Sequence, residues 1–308
     1  MTIPPSFSRR QVLAAAAAAP LLASPVLAAA SRVDRIMVQG RPQDTGSVYK
    51  VRNIIPALDQ LGGVRKIRCR EPFSGTPGWN TYVGLAREGV KFSFTLAVRD
   101  IAVTIADMKA FLAAAPGSIW AIEGPNEPDL NPVTYGGVTD RRLGFRTGEA
   151  PALMAYLKAF TAAQAADPSL KSIPFIASND YMQKEQAAFS KYGNTHIYPR
   201  PTSSVADKLS GFAATLAAAG FAQGIVTEWG RTTGGGAANA TSPPVSLEQQ
   251  ASLLAADIAA ALDRPYVHTF SLYELFCWPG SAEMNNFGIF NADLSPRPAV
   301  AAIRAAIS

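Results

Sequence analysis

Ser118-Ile119-Trp120-Ala121-Ile122-Glu123-Gly124-Pro125-Asn126-Glu127-Pro128-Asp129 is a short apolar run that gives way to a glycine, two prolines and a glutamate. A run of that length bounded by turn formers reads as a buried strand ending in a loop. A carboxylate at the end of such a strand is costly to desolvate unless it has a use. Barrel enzymes keep their chemistry at the carboxyl ends of their strands, so the question is whether the rest of the chain repeats this unit.

It does. Candidate strands lie at Arg35–Gln39, Val64–Cys69, Lys91–Ala97, Ser118–Glu123, Ile173–Ser178, Asn194–Tyr198, Gly224–Glu228 and Val267–Tyr273. Between and after them run amphipathic segments at Val48–Leu61, Asn80–Glu88, Ile105–Ala115, Ala150–Ala166, Gln183–Lys191, Val205–Ala219, Leu247–Leu262 and Arg297–Ile307. Gly62, Gly117 and Gly220 stand where helix C-terminal glycines belong. Eight strands alternating with eight helices, with no linker and no repeat, predict a single-domain α/β fold, a (β/α)8 TIM barrel over residues 31–308. A doubly wound open sheet is the alternative. It calls for a glycine-rich turn after the first strand, and Gly40-Arg41-Pro42-Gln43-Asp44 is not one.

Ser8-Arg9-Arg10-Gln11-Val12-Leu13, an Ala/Leu run and Ala28-Ala29-Ala30 read as a twin-arginine export signal over residues 1–30, cleaved near Ala30-Ser31. A plain amino-terminal anchor is the other reading, but the apolar stretch is short and interrupted by Pro20 and Pro25. The expected location is periplasmic or secreted, with no stable membrane association after cleavage, and the expected state is a monomer. Arg9 and Arg10 supply two of the five net positive charges. No Lys/Arg cluster is interleaved with aromatics, so nucleic acid is not an expected partner. Cys69 and Cys277 can pair in an exported protein, but buried free thiols are the simpler reading. With two cysteines and two histidines, no protein metal site and no cofactor are expected.

Gly224-Ile225-Val226-Thr227-Glu228-Trp229-Gly230 repeats the logic of the first stretch: an apolar run, a glutamate, a turn. Glu127 and Glu228 lie about a hundred residues apart. That gap holds three βα units, which would put them on the fourth and seventh strands of one barrel face. Two carboxyl groups facing one cleft suit glycosidic bond cleavage, one as proton donor and the other as ionised nucleophile.

Here the chain resembles the clan A glycoside hydrolases, the retaining (β/α)8 enzymes, in a manner like families 39 and 5. Asn126-Glu127-Pro128 is similar to their fourth-strand motif and Thr227-Glu228-Trp229-Gly230 to their seventh-strand nucleophile segment. Leu61-Gly62-Gly63-Val64-Arg65-Lys66-Ile67-Arg68 resembles the second-strand pattern whose arginine contacts the nucleophile, and His196-Ile197-Tyr198 the sixth-strand His-x-Tyr whose tyrosine bonds it. Tyr273-Glu274-Leu275, Phe287–Phe290 and Ser295–Ala299 look like the closing strand and helix. The resemblance implies that Glu127 is the acid/base, Glu228 the nucleophile and Asn126 a ligand of the sugar 2-hydroxyl, with Arg68 and Tyr198 orienting Glu228. It also implies a carbohydrate substrate and a tryptophan platform on strand eight, for which Trp278 is the candidate, with a cis Trp278-Pro279 bond.

His196 at a strand end is a candidate to line the site; His268, earlier in its strand, reads as core. Trp79, Trp229 and Trp278 are candidates to stack on sugar faces, whereas Trp120 reads as core. Arg70, Glu71, Asp129, Asn179, Asp180 and Glu274 fall near strand ends as subsite ligands or solvated loop residues, Glu274 also as a competing catalytic carboxylate. The loops Asp129–Glu149 and Gly230–Ser246 read as substrate-binding walls. A retaining glycoside hydrolase acting on a β-linked poly- or oligosaccharide is the leading expectation. A catalytically silent glycan-binding barrel and a transglycosylase using the same glutamates are the alternatives.

Overall fold

β-Branched and aromatic runs form parallel strands, and the Ala/Leu-rich segments between them form the helices that cover the sheet. The computed structural model describes residues 31–308 apart from 142–149, 180–182, 200–203, 235–242 and 280–284. The proposed export signal, Asp180 and parts of both long loops therefore lie outside the described residues.

In chain order the strands are β1 (Ile36–Gln39), β2 (Lys66–Arg70), β3 (Lys91–Thr95), β4 (Ile119–Glu123), the hairpin β5 (Thr134–Tyr135) and β6 (Val138–Thr139), β7 (Phe175–Ile176), β8 (Gly193–Ile197), β9 (Gly224–Trp229) and β10 (Val267–Leu272). The helices are α1 (Val51–Gln60), α2 (Trp79–Arg87), α3 (Ile101–Ala114), α4 (Pro151–Ala166), α5 (Gln183–Gln186), α6 (Val205–Ala219), α7 (Leu247–Leu262) and α8 (Pro298–Ile307). Eight strands hydrogen-bond in the order β7-β4-β3-β2-β1-β10-β9-β8. The two ends of that order meet through an Ile176–Tyr192 bridge, with the Ala177 amide donating to Tyr192 at 3.0 Å and the Lys191 amide to Phe175 at 2.8 Å. The sheet is thus closed into a (β/α)8 barrel.

Ser204 and Ser246 open α6 and α7 with reciprocal capping boxes, which satisfy amides that the first helical turn leaves free. α5 is much shorter than its apolar pattern predicts. Its glutamines serve the sheet instead: Gln183 donates to the carbonyls of Asn194 and Ser178, and Gln186 accepts from the Ser178 amide at 2.8 Å. The β5–β6 hairpin, turning at Gly136-Gly137, rises from the loop after β4 and has no counterpart in the sequence reading.

Most of the apolar core lies between the sheet and the helices, where Tyr82 and Phe111 meet the stacked rings of Phe92 and Phe94 edge to face. A smaller apolar cluster of Met37, Ala121, Ile176, Tyr192 and Ile225 fills the barrel interior. Trp120 packs against it and stacks on His268, which in turn meets Tyr192 at 4.6 Å. Trp120 and His268 are packing residues, as the sequence reads them. Cys69 and Cys277 are both buried free thiols. Among the described residues no helix is long and apolar enough to cross a membrane.

Candidate active site

Above the apolar plug, at the carboxyl ends of the strands, the barrel interior turns polar. Arg68 is its centre and is only 1% exposed. It comes from β2, where alternation turns Lys66, Arg68 and Arg70 to the interior. Its guanidinium donates to both carboxyl oxygens of Glu123 at 2.6 and 2.7 Å, to Gln39 at 2.9 Å, to Asn126 at 2.7 Å and to Glu228 at 2.6 Å. Glu123, fully buried, also accepts from Asn194 at 3.0 Å, and Asn194 in turn accepts from the Thr227 hydroxyl. The strand-end carboxylate of the opening stretch is therefore Glu123, which anchors the arginine. Sequence reasoning passed over it because it reads as the last residue of an apolar strand.

Glu127 stands beyond the strand, in the turn that follows. Gly124 lets β4 leave the barrel there: a Cβ on it would lie 2.2 Å from the Ser178 hydroxyl. Glu127 has φ +43°, in the left-handed region that costs a non-glycine residue about 1 kcal/mol or more and that clusters at functional sites. Its side chain is 27% exposed and its Oε1 lies 2.8 Å from His196 Nδ1.

Glu228 reaches the cleft through an irregularity. Ile225 and Thr227 of β9 face the interior, so simple alternation would turn Glu228 outward. The pairing of β9 with both β8 and β10 slips by one residue in this region, a bulge that brings Glu228 in beside Thr227. Its Oε2 accepts from the Tyr198 hydroxyl at 2.6 Å and lies 3.6 Å from His196 Nδ1. Burial pushes the Glu228 carboxyl up, but His196, Arg68 and the Tyr198 hydroxyl outweigh it and hold the group below its ordinary value. Burial raises the Tyr198 phenol well above its usual range, so it stays a donor.

Glu127, His196 and Glu228 each place one oxygen or nitrogen within 4.8 Å of the others. That spacing can hold a divalent cation, although Arg68 already pairs with Glu228.

Two cavities lie near these residues. One, of about 430 Å³, runs from Glu228 and Asn126 along the mouths of β1, β2 and β3 and is lined by Gln39, Arg41, Arg70 and Tyr273. The other, of about 500 Å³, touches His196, Asp129 and Asn179 but neither glutamate, and runs between β8 and α6 along Thr195, Phe212 and Thr215.

The remaining candidates divide. Trp229 is fully buried against Phe270, with ring centroids 4.5 Å apart, on the helix side of the sheet. The bulge that turns Glu228 in turns Trp229 out, so it is no sugar platform. Trp79 packs on Phe111 at the start of α2, away from the cleft. Glu71 is buried, accepting from the Ala97 amide and pairing with Arg99, rather than facing a subsite. Glu274 is fully buried, 3.3 Å from both Arg41 and the Tyr49 hydroxyl, so it is not open to substrate. Burial drives its carboxyl up to about 7, against the pull of Arg41. Trp278 lies behind it, under the Arg41 guanidinium and beside Tyr49. The cis bond falls at Tyr273-Glu274, not at Trp278-Pro279. Tyr273, which the sequence reading missed, takes the place at the end of β10 expected of a tryptophan and lines the first cavity.

No protein-family model matches this sequence, and no curated protein is similar to it in sequence. Solved structures are similar in fold. A family 2 β-galacturonidase from Eisenbergiella tayi superposes with a TM-score of 0.61 at 15% identity, over 88% of this chain and 50% of that one. A family 5 protein from Streptomyces cattleya, in complex with GlcNAc, gives 0.62 at 14% identity, over 90% and 80%. A family 17 β-1,3-glucanosyltransferase from Rhizomucor miehei gives 0.62 at 15% identity, over 87% and 97%. The chain thus spans half the length of the first of these. At such identities the likeness carries the fold alone, a TIM barrel like those of these glycoside hydrolases.

Proposed function

We propose that this protein is a retaining glycosidase acting on a β-linked poly- or oligosaccharide. The observation that carries the reading is the unlike setting of two opposed carboxyl groups. Glu228 is clamped between Arg68 and Tyr198 and held ionised. Glu127, more exposed, bonds through its side chain to His196 alone among the described residues and has an oxygen within 4.8 Å of one on Glu228. That close approach is in keeping with the retaining separation of about 5–5.5 Å.

In the first step Glu127 gives its proton to the leaving oxygen as a Glu228 oxygen attacks the anomeric carbon. The glycosidic C–O bond breaks and a glycosyl ester on Glu228 forms. Arg68 and Tyr198 release their hold on the carboxylate as its charge is consumed. In the second step Glu127 takes a proton from water, which attacks the same carbon and restores Glu228. An acceptor hydroxyl in place of water gives transglycosylation through the same intermediate. The twin-arginine pattern of Ser8–Leu13 supports an exported enzyme.

The test is the pair Glu127→Ala and Glu228→Ala, assayed on aryl β-glycosides with and without azide. Both variants should lose at least about a thousandfold in kcat. Azide should restore turnover in each, with the β-glycosyl azide from the first and the α-anomer from the second. Full activity in either variant sinks the assignment.

A further inference from the structure

The first cavity carries more positive charge than a neutral sugar needs. Three arginines line it, against two acidic residues, Asp44 and Glu228. Arg68 is saturated by Glu123 and Glu228. Arg41 has Glu274 as its carboxylate partner, held at 3.3 Å through Nε, and its Nη2 donates to the Tyr273 hydroxyl at 3.1 Å. Arg70 is exposed at the mouth of β2 and forms no ion pair with any described residue. Its sequence neighbour Glu71 turns away, to Arg99 at 3.5 Å and to the Ala97 amide. Arg70, with no ion-pair partner among the described residues, and Arg41 share one concave wall, where a concentration of one sign of charge draws and orients ions of the other.

The position of that wall matters. The cavity holds Glu228 and Asn126 but neither Glu127 nor His196. The proton donor faces the leaving group, so the cavity beyond the nucleophile receives the sugar that stays bound. A planar guanidinium fork matches a planar carboxylate, in one or two charge-assisted hydrogen bonds.

We propose that the glycone-side cavity binds a uronic acid, and that Arg70, with Arg41, is the specificity determinant that reads its carboxylate. This rests on the glycosidase reading and names its substrate class as an anionic, uronate-containing β-glycan.

The experiment measures binding by calorimetry to Glu127→Gln, which retains ligand, and hydrolysis by the wild-type protein. The probes are β-linked oligomannuronate and oligoglucuronate, the same oligosaccharides after carboxyl reduction to neutral sugars, and O-sulfated laminari-oligosaccharide. At least one uronate form should bind and be cleaved in preference to its reduced counterpart. Adding Arg70→Gln, a substitution at an exposed side chain, should weaken the uronate form about 10- to 100-fold and leave the reduced form unchanged. Equal or better use of the reduced sugars, preference for the sulfated probe, an equal effect of Arg70→Gln on both forms, or no binding by any probe overturns the proposal. The two readings fail separately. Cleavage of neutral sugars alone removes the uronate and leaves the glycosidase. Selective uronate binding with no cleavage by the wild-type protein removes the glycosidase and leaves the uronate.

Discussion

At the scale of single residues, the site is organised by one buried cation. Arg68 makes five side-chain hydrogen bonds and pairs with two carboxylates at once, a geometry lysine cannot supply because its charge is a point rather than a fork. Tyr198 adds the second hold on Glu228. Removing a donor to an ionised carboxylate raises its pKa. Tyr198→Phe should therefore move the acidic limb of the kcat/KM profile to higher pH and lower kcat/KM about tenfold at its optimum, the worth of one hydrogen bond to a charged group. A pH–rate profile of the variant reads this directly, and an unmoved acidic limb removes Tyr198 from the positioning role.

At the scale of elements, two irregularities aim the chemistry. The slip in β9 sends Glu228 inward and Trp229 outward, and the close exit of β4 at Gly124 sets Glu127 past the strand end. Gly230 ends β9 under the same constraint. A Cβ there would lie 2.2 Å from the Tyr273 carbonyl oxygen and 2.8 Å from the Phe287 ring, and a backbone atom does not yield as a side-chain tip does. Gly230→Ala should lower stability by about 1–3 kcal/mol, as overpacking does, and disturb Glu228 next to it. Gly211→Ala, in α6 with open space around it, should instead be neutral or stabilising by up to about 1 kcal/mol. Urea unfolding of the two variants makes the comparison. These devices were not legible in advance, because bulges and close approaches depend on how neighbouring strands pair, and a one-residue slip reverses which side chains face in.

At the scale of the whole molecule, buried carboxyl groups of opposite tendency shape stability against pH. Glu274 is raised to about 7 by burial. Such a group favours the fold most below the unfolded value near 4.5, and its contribution declines as pH rises from there to about 7, then stays level. The size of that decline is on the order of 3 kcal/mol. Asp257, raised to about 6 by burial despite Arg231, acts in the same direction. Glu228, held low, acts in the opposite sense: its contribution is present above its unfolded value and is lost as pH falls through the folded one. Stability should therefore peak on the acidic side of neutrality. In Glu274→Gln the decline between about pH 4.5 and 7 should flatten. Thermal melts across that range, wild type against variant, decide it; parallel curves would deny Glu274 the role.

What the sequence determined by itself was the periodic part. The apolar runs set every barrel strand to within a few residues, because burial on both faces leaves a mark that needs no partner to be read. The alternation of strands and helices set the barrel, and the strand-end glutamates marked the face that carries the cleft. Tertiary structure decided which side chains share that cleft. It brought Glu123 to Arg68, sealed Glu274 and Trp229 away, put Tyr273 where a tryptophan was sought, and left Arg41 and Arg70 facing the same cavity. The physical reason is that burial and charge pairing belong to residues far apart in the chain, and only closing the sheet places them within a hydrogen bond of one another.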